Sequence, residues 1–182
     1  MSESALLTSV TLSSQVKNHI LNLIAEQKLT PGMPVPSEVQ LIQKLGVSRG
    51  IVREAYRSLA ALGILETHSG KVPRIKKFDD EVLRVVFGFA LATEQVTTEQ
   101  ILQVRRWLEL GVVEAAARNG EEEDFANLRA EMAKIREQFN DVESFITHDI
   151  RFHQLLAVAS KNPLFMMLLQ ALHQQLRQSI QE

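Results

Sequence analysis

Apolar residues recur at helical spacing along most of the chain. Val16, Ile20, Leu23 and Ile24 fall at i, i+4, i+7 and i+8, one buried face of a first helix that ends before Pro31-Gly32. Ser37 opens a second helix as its N-cap, and Gln40 completes a capping box three residues on. Leu41, Ile42 and Leu45 supply that helix's apolar face. Gly46-Val47-Ser48 makes a tight turn, after which Ser48 caps a third helix over about residues 49–62, ended by Gly63. The pattern then shortens. Residues 64–67 and 72–75 flank Ser69-Gly70, which predicts a small hairpin. Three short helices and a hairpin, with a glycine-containing turn between helices two and three, describe a winged helix-turn-helix.

Beyond residue 78 the chain-breaking residues thin out to Gly88, Gly111, Gly120 and Pro163. Helical stripes follow one another there: Ile101, Val104, Leu108, Val112 and Ala115, then Phe125, Leu128 and Met132. Phe145, Phe152, Leu155 and Leu156 form another, and Leu164, Met167, Leu168 and Leu172 the last. An all-helical bundle accounts for them, with Trp107 and the methionines as core residues. The expected fold is thus mainly α, an N-terminal winged helix-turn-helix over residues 1–78 and a C-terminal helical bundle over 79–182.

Charge sharpens this division. The 182 residues carry a net charge of −2, a value that by itself argues against nucleic acid as a partner. The average misleads, because residues 1–78 hold ten Lys/Arg against five Glu, whereas residues 79–182 hold ten against seventeen Asp/Glu. A basic half of +5 is joined to an acidic half of −7. Zero cysteine excludes a disulfide scaffold, cysteine-based zinc sites, iron–sulfur clusters and a thiol nucleophile. No apolar run approaches the ~18 residues of a membrane span, and the opening MSESALLTSV lacks the basic start of a secretion signal. The cytosol is the expected compartment.

The third helix carries the chemistry of the basic half. At about 100° per residue, Arg49, Arg53 and Arg57 fall within roughly 80° of one another, while Val52, Ala55, Leu59 and Leu62 cluster opposite. Such a helix buries one face and offers three guanidiniums on the other, and arginine reads guanine O6 and N7 in the major groove. Gly50 on the same face permits close backbone approach. Lys71, Arg74, Lys76 and Lys77, in and after the hairpin, add phosphate-neutralising charge.

The segments Pro36-Ser37-Glu38, Gly46-Val47-Ser48-Arg49 and Val52-Arg53-Glu54-Ala55, with Leu59 and Gly63 behind them, resemble the DNA-binding domain of the GntR family of bacterial transcription regulators. The resemblance implies DNA contacts from Ser37, Ser48, Arg49, Gly50, Arg53 and Arg57, and from Ser69, Gly70 and Lys71 of the wing. Two departures stand out. Val39 occupies a position where the family often has arginine, and Ser69-Gly70-Lys71-Val72 is closer to the H-G-K wing of the FadR subfamily than to the usual G-x-G-T.

In the acidic half, Arg105-Arg106-Trp107-Leu108-Glu109, Ala115-Ala116, Asp149-Ile150-Arg151-Phe152-His153 and the A-S-x-N run at residues 159–162 resemble the ligand-sensing FCD domain of that subfamily. Asp149 and His153, at i and i+4, share a helix face, and an oxygen plus an imidazole nitrogen suits Zn²⁺, Ni²⁺ or Mn²⁺. By resemblance they are the first two ligands of the FCD metal site. Arg105 would clamp a carboxylate effector, an organic or sugar acid, and is also spaced to pair with Glu109. His148 is expected to be a bystander, and His173 matches no ligand position of the family.

No histidine follows His173, so the two later histidine ligands of the family are missing from these residues. The expectation is a bundle lacking its last helices, with an incomplete metal site and an exposed apolar seam. The implied partners are a palindromic operator, a small-molecule effector and a second copy of the chain, with no membrane. The alternative is a metal-free sensor of an acyl-CoA or similar acyl ligand. An enzyme is not expected, because the D-x₃-H pair has no further ligand and no base at suitable spacing.

Overall fold

The computed structural model describes residues 11–68 and 70–181, which divide between Asp79 and Asp80 into two compact units. In the first, α1 (Leu12–Glu26), α2 (Glu38–Leu45) and α3 (Arg49–Ala61) are followed by β1 (Leu65–Glu66) and β2 (Arg74–Ile75). The local chemistry that starts α2 and α3 is the one the sequence signals. Ser37 Oγ accepts from Gln40 N at 3.3 Å while Ser37 N donates to Gln40 Oε1 at 2.7 Å, a complete capping box. Ser48 Oγ accepts from Ile51 N at the start of α3. Gly46 ends α2 at φ +67°, a left-handed position that a side chain would strain, and this sets the turn between α2 and α3.

Val16 and Ile20 of α1, Leu41 of α2, Val52 and Leu59 of α3 and Leu65 of β1 close a single core, each at most 3% exposed. The hairpin is shorter than the sequence pattern, pairing only Leu65 with Ile75 and Glu66 with Arg74. Pro73 has no N–H to give the ladder, and Val72 beside it is 49% exposed. Pro34 adds a bridge to Arg74, whose guanidinium donates to Gly32 O at 2.6 Å.

The second unit is helical throughout: α4 (Glu81–Ala92), α5 (Thr98–Asn119), α6 (Glu122–Glu137), α7 (Val142–Ala159) and α8 (Pro163–Gln181). Helix α7 packs on α5, α6 and α8, and α4 lies against α8. Three apolar clusters join them, centred on Ile101 with Leu172, on Val112 with Ala157 and Leu169, and on Ala116 with Leu128 and Ala159. Helix α5 begins with its own capping box, Gln100 N donating to Thr97 Oγ1 at 3.2 Å and Thr97 N to Gln100 Oε1 at 2.9 Å. Thr97→Ala should cost about 1 kcal/mol, read as a lower urea midpoint at unchanged slope. An unshifted midpoint would show that the box contributes nothing.

Two expectations about the core need correction. Trp107 is not a core residue: it is 74% exposed, and Val104 is 59% exposed. Ile101, Leu108 and Val112 define the face of α5 that meets α7 and α8, and Trp107 lies roughly 120° round the helix from Ile101. Of the methionines, Met132, Met166 and Met167 are half-buried, but Met33 is 43% exposed. The expected exposed apolar surface is present, on α4 at Val85 and Phe89 and on α5 at Val104, Trp107 and Leu110.

Candidate nucleic-acid interface and helical-bundle cluster

On the first unit, the N-terminus of α2, the outer face of α3 and the hairpin surround an open cavity of about 510 Å³. Ser37, Glu38 and Val39 line it from α2, Arg53 and Arg57 from α3, and His68, Gly70 and Lys71 from the hairpin. Arg49 and Gly50 lie outside that lining but are exposed on the first turn of α3, and a Cβ added at Gly50 would meet only Ser48 Oγ, at 3.8 Å. Nothing among the described residues therefore requires glycine there. The hydroxyls of Ser37 and Ser48 are occupied in capping their helices. Ser69 falls outside the described residues.

Sequence spacing missed one partner on this face. Arg53 Nε stands 3.7 Å from Glu38 Oε1, across the α2–α3 turn, with both side chains half exposed. Exposed pairs of this kind contribute little stability but restrict where a guanidinium points. Behind them, buried Tyr56 donates its hydroxyl to Pro36 O. Burial, reinforced by the Glu38 charge, raises the Tyr56 hydroxyl far above the usual range, so it remains a donor and fixes the segment leading into α2. The hairpin cations are not equivalent. Lys71 is exposed at the turn, while Lys76 pairs with Asp79 at 2.8 Å and Arg74 holds the Gly32 carbonyl.

In the second unit the structure gathers Arg105, Glu109, Asp149 and His153, which the sequence singled out, and adds His173. Arg105 Nε donates to Glu109 Oε1 at 2.7 Å, the i,i+4 pair on α5. The same Glu109 oxygen is 3.2 Å from His153 Nδ1 on α7, and His153 Nε2 is 3.7 Å from Asp149 Oδ1. His173 of α8 completes the group, its ring edge-on to His153 at 5.5 Å and its Nε2 4.0 Å from Glu109. That Nε2 is buried without a hydrogen-bond partner. Burial, then the charges of Arg105 and His153, push the His173 imidazole down to about 3, so it is neutral at physiological pH. The contacts that join Glu109 and His173 to His153 escaped sequence reasoning because they cross from α5 and α8 to α7, and no spacing within one helix encodes that.

His148 is turned elsewhere. Its Nδ1 lies 2.6 Å from Glu131 Oε1 of α6, and Lys134 reaches the other oxygen at 3.2 Å. Burial opposes charge on Glu131, but the hydrogen bonds from His148 and Lys134 outweigh it and hold the carboxyl below the usual range. One residue's step along α7, about 100°, separates His148 from Asp149 and places them in different environments.

Asp149 and His153 would present a carboxylate and an imidazole to a metal, with Glu109 orienting the other ring nitrogen. The set is partial. Among the described residues no three His, Asp or Glu side chains converge as a metal site requires.

The gntR family of bacterial regulatory proteins matches residues 12–74 and the FCD domain matches residues 100–182. An uncharacterised HTH-type transcriptional regulator of Bacillus subtilis, YcbG, is 30% identical over 164 residues, covering 89% of this chain and 67% of that protein. The fatty acid metabolism regulator protein of Shewanella putrefaciens is 30% identical over 161 residues, 86% of this chain and 66% of its own. A solved Streptococcus agalactiae GntR superposes with a TM-score of 0.68 at 27% identity, covering 90% of this chain and 78% of that one. The winged helix-turn-helix and the helical unit after it define the class, that of transcription regulators rather than enzymes. The chain belongs to the GntR family and carries its FCD domain. It spans about two thirds of the length of the curated relatives it matches.

Proposed function

We propose that the protein is a cytoplasmic transcription regulator that binds a palindromic operator as a homodimer and responds to a small carboxylate, an organic or sugar acid. The observation that carries the DNA reading is the face of α3. Arg49, Arg53 and Arg57 stand exposed on it beside the Lys71 turn, within residues 1–78, whose net charge is +5. Arg49 and Arg53 enter the major groove, Arg57 and Lys71 neutralise phosphates, and the hairpin reaches the adjacent groove. Ser37 and Ser48, with their side chains turned to capping, bring helix N-termini and backbone N–H groups to the phosphates.

The second unit supplies the response. Asp149 and His153 contribute to a Zn²⁺, Ni²⁺ or Mn²⁺ site, and the effector carboxylate binds at the metal and at Arg105. Effector binding then changes the geometry of the DNA-binding units and lowers operator affinity, so that repression is relieved. Titration of the purified full-length protein with each metal, by calorimetry, tests this assignment. Binding of one metal that Asp149→Ala and His153→Ala both abolish is the expected result.

A second reading rests on two observations. Among the described residues no three donors of the cluster converge as a metal site requires, and one relative is named a fatty acid metabolism regulator. On this reading the sensor is metal-free and takes an acyl-CoA or similar acyl ligand. Full-length protein without bound metal, and effector binding unmoved by a chelator, would favour it.

A further inference from the structure

Val39 is an apolar side chain in a place where burial does not explain it. It is the second residue of α2, it is 53% exposed, and it lines the same open cavity as Arg53, Arg57 and Lys71. The apolar face of α2 turns the other way, with Leu41 fully buried and Ile42 and Leu45 packed on the core. Every cation around the cavity can bond a phosphate or a guanine edge, and Glu38 can accept from a base amino group or hold Arg53. Val39 can do neither. What the major groove offers an exposed aliphatic group is the 5-methyl of thymine, the one apolar feature that distinguishes a base edge there.

We infer that Val39 reads the 5-methyl group of a thymine in each operator half-site, next to the base pair contacted by Arg53. This rests on the DNA-binding reading above and specifies the sequence that reading leaves open. Because Arg53 and Val39 line one cavity from two helices, the bases they meet are neighbours along the groove. The contact is a packing one. It leaves the number of neutralised phosphates, and so the salt dependence of binding, unchanged.

The test begins with the full chain and a pool of random duplexes, from which the bound sequences are enriched and read. The enriched operator is then remade with deoxyuridine in place of each thymine in turn, which removes only the methyl group. One thymine in each half-site should lose about fourfold in affinity on this replacement, the factor that burying one methyl corresponds to. Val39→Ala should bind both versions equally, with an unaltered salt slope. Val39→Arg should enrich guanine at that position instead and steepen the slope. Val39 is exposed, so neither substitution disturbs the core. Wild-type protein indifferent to every methyl, or Val39→Ala as sensitive as wild type, overturns the inference while leaving the DNA reading intact. A pool that yields no enriched sequence overturns both.

Discussion

Arg53→Ala should weaken binding to the enriched operator by about 1–3 kcal/mol, roughly 5- to 150-fold, and relax its sequence preference at one position of each half-site. Arg49→Ala should cause a loss of the same order at a different position. The Arg53 side chain is 53% exposed and held near Glu38 rather than in the core, so the loss belongs to the groove and not to the fold. Unchanged circular dichroism and thermal midpoint would check that. Arg57→Ala should behave differently, weakening binding to all duplexes alike and reducing the salt slope by about one. A gel-shift titration in which Arg49→Ala and Arg53→Ala both retain wild-type affinity would end the assignment of α3 to the major groove.

The second large effect is in the pH dependence of stability. His173 is neutral when folded because burial, with Arg105 and His153 near it, brings its imidazole to about 3 from an ordinary 6.5. The unfolded chain protonates first as the pH falls, so stability is lost from about pH 6.5 downward, with a slope approaching about 1.4 kcal/mol per pH unit. Nothing comparable is gained above pH 6.5, where both states are neutral. Between pH 7 and pH 5 the wild type should therefore lose about 2 kcal/mol more than His173→Gln does. Urea unfolding at the two pH values, followed in the presence of a chelator, measures the difference. Equal losses in both proteins would mean that His173 accepts its proton in the folded state.

These two predictions draw on parts of the molecule that were unequally visible in the sequence. The helix-turn-helix was legible because its signals are local. The Ser37–Gln40 box, the Gly46 turn and the Ser48 cap each act within four residues, and the arginines of α3 share a face by spacing alone. The paired part of the hairpin was over-read, since Pro73 withholds a donor and only two residue pairs form. The orientation of Arg53 by Glu38 was not legible, because the pair spans the turn between two helices.

In the second unit, spacing found Arg105 with Glu109 and Asp149 with His153, both i,i+4 pairs. It could not find that Glu109 joins the two pairs, nor that His173 arrives from α8 with an unpartnered nitrogen. It also put Trp107 inside, because a large aromatic in an apolar stripe reads as core until the packing of α5 against α7 and α8 shows which stripe is covered. Tertiary packing decides both matters. Residue type decides neither.

The central claim, that the α3 face and hairpin read a specific DNA sequence, is tested most directly by fluorescence anisotropy. The full chain is titrated into the enriched duplex and into a scrambled duplex of equal length and composition, across a range of salt concentrations. Affinity for the enriched duplex should be at least a thousandfold tighter near physiological salt, with log K falling linearly in log salt for both. Equal affinity for the two duplexes at every salt concentration would contradict it.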